Sequence, residues 1–292
     1  MKIYSFLKKA YNKLCYIFKE IYVSAHLRAY YRETKALVGI KDEKIDCDYC
    51  EIVVVAFNNA KVIEYQIRTL QKYFRTPYRY TVFDNSTDTQ VAKTIREVCQ
   101  QYGIGYVRLP KQSFLSGGGA GSLSHGIACN WIFKNFIQQH SAAQYVALLD
   151  HDIFCIEDFH IDKILDKQPF YGHVFAYGRK GIKYLWPGFC FFRMDNIKGK
   201  TLDFRPSAKL DGDTGVRNYK LYEIENFDEI LFAEMKHCRI DSGNDDILGM
   251  GYSKFDNEWI HCWNASNYMK SVTLADKMEV IYKILDEKLK EN

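Results

Sequence analysis

Asp150-His151-Asp152 closes the apolar run Tyr145-Val-Ala-Leu-Leu149, placing two carboxylates one residue apart where a buried strand should end. Along an extended backbone, side chains i and i+2 turn the same way, so both carboxylates can reach one cation while His151 points away from it. Hard divalent ions such as Mg2+ and Mn2+ prefer oxygen ligands of this kind and commonly share them with substrate phosphates. A nucleotide diphosphate is therefore the first substrate chemistry to consider. The same pattern also arises as an acidic loop or cap after a strand, so its surroundings must decide between the two.

Those surroundings alternate strand with helix. Ile52-Val-Val-Val-Ala56 is a β-branched apolar run, as expected for a strand covered on both faces. Ile63, Ile67, Leu70 and Phe74 then follow at helical spacing. Tyr80-Thr-Val-Phe83 reads as a second strand, Val91, Ile95 and Val98 as a second helix, and Gly105-Tyr-Val-Arg-Leu109 as a third strand. The glycine-rich stretch Gly117-Gly-Gly-Ala-Gly-Ser122 opens a third helix carrying Leu123, Ile127 and Trp131. Such alternation predicts a parallel sheet with right-handed crossovers, whose ligands bind outside the carboxyl ends of the strands. Polar clusters fall at three of those ends: Phe57-Asn58-Asn59, Asp84-Asn85-Ser86 and Asp150-His151-Asp152. Beyond residue 155 the pattern changes. Val174-Phe-Ala-Tyr177 and Phe189-Cys-Phe-Phe192 read as strands separated by Trp186-Pro187-Gly188, and a C-terminal helix carries Leu274, Met278, Ile281 and Leu285 on one stripe.

Composition narrows the class. With 47% hydrophobic and 26% charged residues over 292 positions, the chain is globular and large enough for one sizeable α/β domain. Its net charge of +4 comes without a dense basic, aromatic-interleaved tract, so nucleic acid is not an expected partner. Nine scattered cysteines form no paired framework, and Cys47 with Cys50 lacks a second pair for zinc; reduced thiols in a cytoplasmic protein are expected. No run is apolar enough to cross a bilayer, and no signal peptide is evident. The first residues do carry an amphipathic pattern. Ile3, Leu7, Leu14, Phe18, Ile21 and Ala25 share one helical face, and five lysines between Lys2 and Lys19 lie mainly on the other. Such a helix either lies on the inner face of the cell membrane or packs on its own domain.

In the order of its strands and polar clusters, the chain resembles the GT-A glycosyltransferases, and within them the inverting family-2 enzymes. The likeness is fullest between residues 50 and 155, where Asp84-Asn85-Ser86 ends the second strand and Asp150-His151-Asp152 ends the fourth. It implies an α/β fold: a GT-A-like, Rossmann-type, central mostly parallel sheet flanked by helices, with N-terminal and C-terminal helical extensions. It also implies a nucleotide-diphosphate sugar donor, a glycan or lipid-linked glycan acceptor, and Mn2+ or Mg2+ as cofactor. The organisation expected is a basic helical extension over 1–48, a nucleotide-sugar half over 49–155, an acceptor half of the same domain over 156–270, and a C-terminal helix over 271–292.

On this resemblance, the nucleotide-sugar site draws on Ala56, Phe57, Asn58, Asp84, Asn85, Gly121, Ser122, His125, Asp150 and His151. Asp150 and Asp152 hold the metal, and His261, late in the chain between Trp259 and Trp263, completes the ligand set. Transfer to a hydroxyl also needs a carboxylate base. Asp213, in the glycine-hinged loop Asp211-Gly-Asp-Thr-Gly215, is the candidate, with Asp211 as its substitute and Asp245 and Asp246 as rivals. Trp186 offers a flat face to an acceptor sugar or, equally, to the core. Two other readings stay open: a sugar nucleotidyltransferase, and a non-catalytic module binding glycan or membrane. Against the first, Phe57-Asn-Asn-Ala60 stands where that chemistry places a basic glycine-rich loop. Walker and dinucleotide-binding glycine patterns are both missing.

Overall fold

The computed structural model describes residues 21–37, 48–115, 121–177, 181–239, 251–263, 265 and 272–291. The basic stripe before residue 21, the glycines at 117–119, and Asp245 and Asp246 lie outside the described residues.

Six strands form the main sheet in the order β3-β2-β1-β4-β7-β6. They are β1 Cys50–Ala56, β2 Tyr78–Asp84, β3 Gly105–Arg108, β4 Tyr145–Asp150, β6 Phe170–Tyr177 and β7 Ile182–Arg193. The first four run parallel, while β7 pairs antiparallel with both β4 and β6. A second, antiparallel sheet takes the order β5-β10-β9-β8, from β5 Ile153–Cys155, β8 Met235–Arg239, β9 Gly251–Phe255 and β10 Trp259–His261. Helix α1 covers residues 21–32. Helices α2 Ala60–Tyr73, α3 Thr89–Gln101 and α4 Gly121–Ile132 fill the crossovers, with α4 running through a wider π-turn (Phe133–Ile137) into α5, Gln138–His140. Short helices α6 Ile161–Leu165 and α7 Met194–Ile197 precede the long α8, Val272–Lys290. This is the mostly parallel central sheet flanked by helices that was expected from the sequence.

Alternation along the strands explains why both faces of the sheet are apolar. Ile52 and Val54 of β1 turn toward α2 and α3 (Ile63, Ile67, Leu70, Ile95), while Val53 joins Ile127, Trp131 and Phe136 on the α4 side. Glu51 interrupts β1 but is buried against Arg79, whose Nε donates to its Oε2 at 2.9 Å. A third cluster lies under α8, where Met278, Ile281 and Leu285 meet Val62, Phe154, Ile260 and Cys262. Residues 21–32 pack through Val23, Leu27 and Tyr30, whereas Ile21 and Ala25 of the anticipated stripe face outward.

One expectation needs correction. Trp186-Pro187-Gly188 does not separate two strands; it lies inside β7, where the register against β6 slips between Gly172 and Val174. A proline has no N–H to give the ladder, and the bulge absorbs that loss. The four short strands β5, β8, β9 and β10 had no sequence signal long enough to mark them.

The parallel strands end flush. Ala56 is paired with Asp84, and Val55 with Asp150, so the polar residues after β1, β2 and β4 emerge at one edge. Because β2 and β3 lie to one side of β1 and β4 to the other, the crossovers diverge between β1 and β4, where such sheets open a crevice. Buried Gln66 of α2 fixes the exit of β4. Its Nε2 donates to the carbonyls of Asp150 (2.8 Å) and Ile153 (2.7 Å), and its Oε1 accepts from Tyr80 Oη at 2.6 Å. Gln66→Leu would strip partners from two carbonyls and a buried hydroxyl, at a cost on the order of 3 kcal/mol. Urea denaturation should show that loss; a change under about 0.5 kcal/mol would contradict the role given to Gln66.

Candidate metal and substrate site

Asp150 ends β4, Asp152 lies in the turn into β5, and His261 ends β10, opposite Ile153. Strand pairing thus brings together residues more than a hundred positions apart. One ligand atom from each of the three lies within 4.8 Å of the others. Asp152 is held on every side: its carbonyl accepts from Cys262 N at 2.9 Å, its Oδ2 from Ala265 N at 3.2 Å, and its Oδ1 lies 3.5 Å from His261 Nε2. Asp150 Oδ1 lies 3.2 Å from His125 Nε2 on the first turns of α4. His151 turns the other way, as expected, and its Nδ1 accepts from Phe57 N at 3.3 Å.

The electrostatics single out this pair. Burial, together with the charge of Asp152, raises the Asp150 carboxyl to about 7. Burial also opposes ionisation of Asp152, yet the hydrogen bond and charge of His261 outweigh it and hold Asp152 below the ordinary carboxylate range. Burial lowers His151. It would lower His125 too, but Cys129 beside it and the charges of Asp213 and Asp152 keep His125 above its usual value. Two crowded carboxylates, one ionised and one holding its proton, form a site that a divalent cation would relieve. Two oxygens and one imidazole nitrogen suit Mn2+ or Mg2+ as a partial ligand set, completed by water and phosphate oxygens.

The loop proposed to carry the base reaches the same place. Asp213 is exposed and close enough for its charge to bear on both Asp150 and His125. Its N–H donates to Tyr184 Oη at 3.0 Å, and buried Thr214 ties the loop to α4 by donating to the Ser122 carbonyl at 3.2 Å. Gly215 needs its glycine, since φ is +94° and a Cβ would meet Leu185 O at 2.8 Å. Asp211 is also exposed, in left-handed backbone at φ 54°. The Trp186 indole lies against Gly188, where a Cβ would meet the ring at 2.1 Å, and its ring centre is 4.9 Å from that of His261. Phe175 stacks on its other side at 5.9 Å. This aromatic wall therefore abuts His261, one of the three candidate metal ligands.

The strand ends beside β1 spend most of their polar groups on one another. Asn58 takes left-handed backbone (φ 48°), and its Oδ1 accepts from the N–H groups of Thr87 and Asp88, both at 3.0 Å. Asn59 caps α2 through Val62 N, and Asp88 caps α3. Asp84 is fully buried: Oδ1 accepts from Ser86 N at 2.8 Å, while Oδ2 takes Tyr106 Oη at 2.7 Å and Arg108 Nη1 at 2.8 Å. A carboxylate so engaged ties the end of β2 to β3. Asn85 follows the end of β2; its N–H donates to the Ala56 carbonyl, and its Nδ2 reaches Ser124 Oγ at 2.9 Å. Phe57 is half-buried, and Gly121 and Ser122 are exposed at the start of α4. Sequence reasoning missed Gln66, Tyr106, Arg108, Thr214 and Lys277. They lie on helix interiors, strands and loops without a motif, and only the tertiary contact reveals them.

No family model and no curated protein matches the chain. Among solved structures, TarS of S. aureus is similar at 17% identity over 56% of this chain and 32% of its own, with a TM-score of 0.37. A mannosyltransferase of Pyrobaculum calidifontis, in complex with GDP-Man and Mn2+, gives 12% identity over 62% of this chain and 56% of its own, with a TM-score of 0.34. Glucosyl-3-phosphoglycerate synthase of Mycobacterium tuberculosis gives 13% identity over 63% of this chain and 66% of its own, with a TM-score of 0.36. In each case the match spans less than two thirds of the known structure's length.

Proposed function

We propose that this protein is a metal-dependent glycosyltransferase that moves a hexose from a nucleotide-diphosphate sugar to a glycan or lipid-linked glycan, in surface polysaccharide assembly. The observation that carries this reading is the convergence of Asp150, Asp152 and His261 at the carboxyl end of β4, with the exposed Asp213 close enough for its charge to bear on Asp150. A bound Mn2+ or Mg2+ would supply charge neutralisation for the departing diphosphate oxygens.

The chain's own residues then have distinct tasks. Asp150, Asp152 and His261 would hold the metal. The nucleoside lies along the ends of β1 and β2, against Ala56, Phe57, Asn58 and Asn85, beside the tie that Asp84 and Arg108 make. His125, Gly121 and Ser122 at the start of α4 border the donor sugar, and His151 holds Phe57 in place. Trp186 presents an acceptor sugar to the anomeric carbon. Asp213, or Asp211 in its place, accepts the acceptor hydroxyl's proton as that oxygen forms its bond to the anomeric carbon. The bond from that carbon to the diphosphate oxygen breaks, and the nucleoside diphosphate leaves with the electron pair. Attack from the face opposite the leaving group inverts the anomeric centre. Outward-facing Ile21 and Tyr22 on α1 support approach to a membrane surface where a lipid-linked acceptor would lie.

The reading is tested with a panel of nucleotide-diphosphate sugars and Mn2+, following release of nucleoside diphosphate. Asp152→Asn should lower turnover at least about 100-fold with the fold intact. Full activity in that variant removes the metal role, and release of pyrophosphate from a nucleoside triphosphate with a sugar phosphate would indicate nucleotidyl transfer instead. Asp213→Asn should cost roughly 10²–10⁴-fold in kcat with little change in donor KM; an unchanged kcat moves the base elsewhere.

A pH dependence follows from Asp150. Below about 7 its carboxyl is protonated and must lose that proton to take a cation. Mn2+ affinity should therefore fall as pH drops through 7, by up to about tenfold per pH unit. In the metal-free protein the sign reverses for stability: the folded state holds this proton to higher pH than the unfolded chain, so its contribution grows as pH falls through 7. Titration calorimetry at pH 6 and pH 8 measures the first effect, and equal affinities would contradict it.

A further inference from the structure

Asp152 owes its geometry to the segment that follows β10, and that segment is itself pinned from outside. Cys262 N donates to the Asp152 carbonyl at 2.9 Å and Ala265 N to its Oδ2 at 3.2 Å, so described residues after β10 hold Asp152 through backbone and side chain. Among the described residues, two side chains donate to carbonyls of this segment. Asn59 Nδ2 donates to the Ala265 carbonyl at 2.9 Å, from the cap of α2. Lys277, on α8, donates its Nζ to the Trp263 carbonyl at 2.5 Å.

Lys277 is 1% exposed. A lysine is among the most expensive side chains to bury. The described apolar contacts of α8 lie elsewhere on the helix. Tyr65 and Tyr282 stack at 4.6 Å, Tyr65 Oη donates to Asp286 at 2.8 Å, and Met278, Ile281 and Leu285 are buried. Burial pushes the Lys277 ammonium below the ordinary lysine range, while Cys262 and Asp152 hold it up, so its charge faces the metal carboxylate.

We infer that Lys277 is a positioning residue for the metal site: from α8 it holds the backbone at Trp263, between the two residues whose N–H groups donate to Asp152, in the register that presents Asp152 to the cation. The inference rests on the metal-binding reading of Asp150, Asp152 and His261. The C-terminal helix is then a working part of the site, fastened to α2 through Tyr282, Asp286 and Lys288 and reaching the segment that holds Asp152 through one ammonium group. Removing an outer partner of a metal ligand costs 10–100-fold in metal affinity or activity in systems where it has been measured, which sets the scale expected here.

The test measures Mn2+ affinity by the electron paramagnetic resonance of free Mn2+, at pH 8, on the full chain. Wild-type protein is measured first; if it binds no Mn2+, the metal-site reading fails and Lys277 is not the cause. Given wild-type binding, Lys277→Met should weaken Mn2+ by about 10–100-fold while circular dichroism and the metal-free melting curve stay near wild type. Lys277→Arg, which keeps both charge and donor, should recover most of the affinity. A folded Lys277→Met variant that binds Mn2+ as wild type does overturns the inference. If Lys277→Met does not fold, Lys277→Gln is read by the same measurements, and wild-type affinity in it overturns the inference equally.

Discussion

Two carboxylates in one another's field, Asp152 buried and Asp150 half-buried, are the constraint on which the rest of this structure depends. Asp150 and Asp152 cannot both ionise at little cost where they stand, and the protein resolves the conflict by shifting them in opposite directions. The arrangement is unfavourable by itself, and it persists because the surrounding chain overdetermines it. Gln66 grips the carbonyls on both sides of the turn, the segment after β10 wraps Asp152, and His125 and His261 flank the pair. A site strained in this way without a cation is preorganised to accept one.

The topology explains why the site lies where it does. Strand order leaves the crevice between β1 and β4, and the flush register of β1, β2 and β4 brings their terminal residues to its rim. The second half of the chain returns over that rim twice. The loop of Asp213 is moored to α4 by Thr214, and β10 brings His261 in beside β5. Trp186 lies in β7 yet touches His261, so this aromatic wall and the Asp150, Asp152 and His261 cluster are packed as one unit. Covalently distant segments therefore cannot drift apart without breaking the aromatic contacts among Trp186, His261, Phe175 and Phe255.

Much of the first half was legible in the sequence because its signals are local. Apolar runs such as Ile52–Ala56 and helical stripes such as Ile63, Ile67 and Leu70 state their own secondary structure, and turn formers state the edges. The Asp-x-Asp pair was legible for the same reason, and the convergence of both aspartates survives even though the strand ends at Asp150. The rest was hidden for definite reasons. Trp186-Pro187-Gly188 imitates a turn, but a bulge lets β7 run through it. Asp84 looks like a ligand on the strand end, whereas Tyr106 and Arg108, unmarked on β3, engage it in the fold. Gln66 and Lys277 occupy helical positions that a polar residue can hold on any surface, and only tertiary packing shows them buried.

The central claim is that one cation sits among Asp150, Asp152 and His261 and carries the diphosphate of the donor. Anomalous scattering at the manganese edge, from crystals grown with Mn2+ and a nucleoside diphosphate, tests it most directly. The account requires one peak bridging those three side chains and the diphosphate oxygens, with the nucleoside lying toward Phe57 and Asn85. A peak elsewhere, or nucleotide bound away from the crevice between β1 and β4, would contradict it.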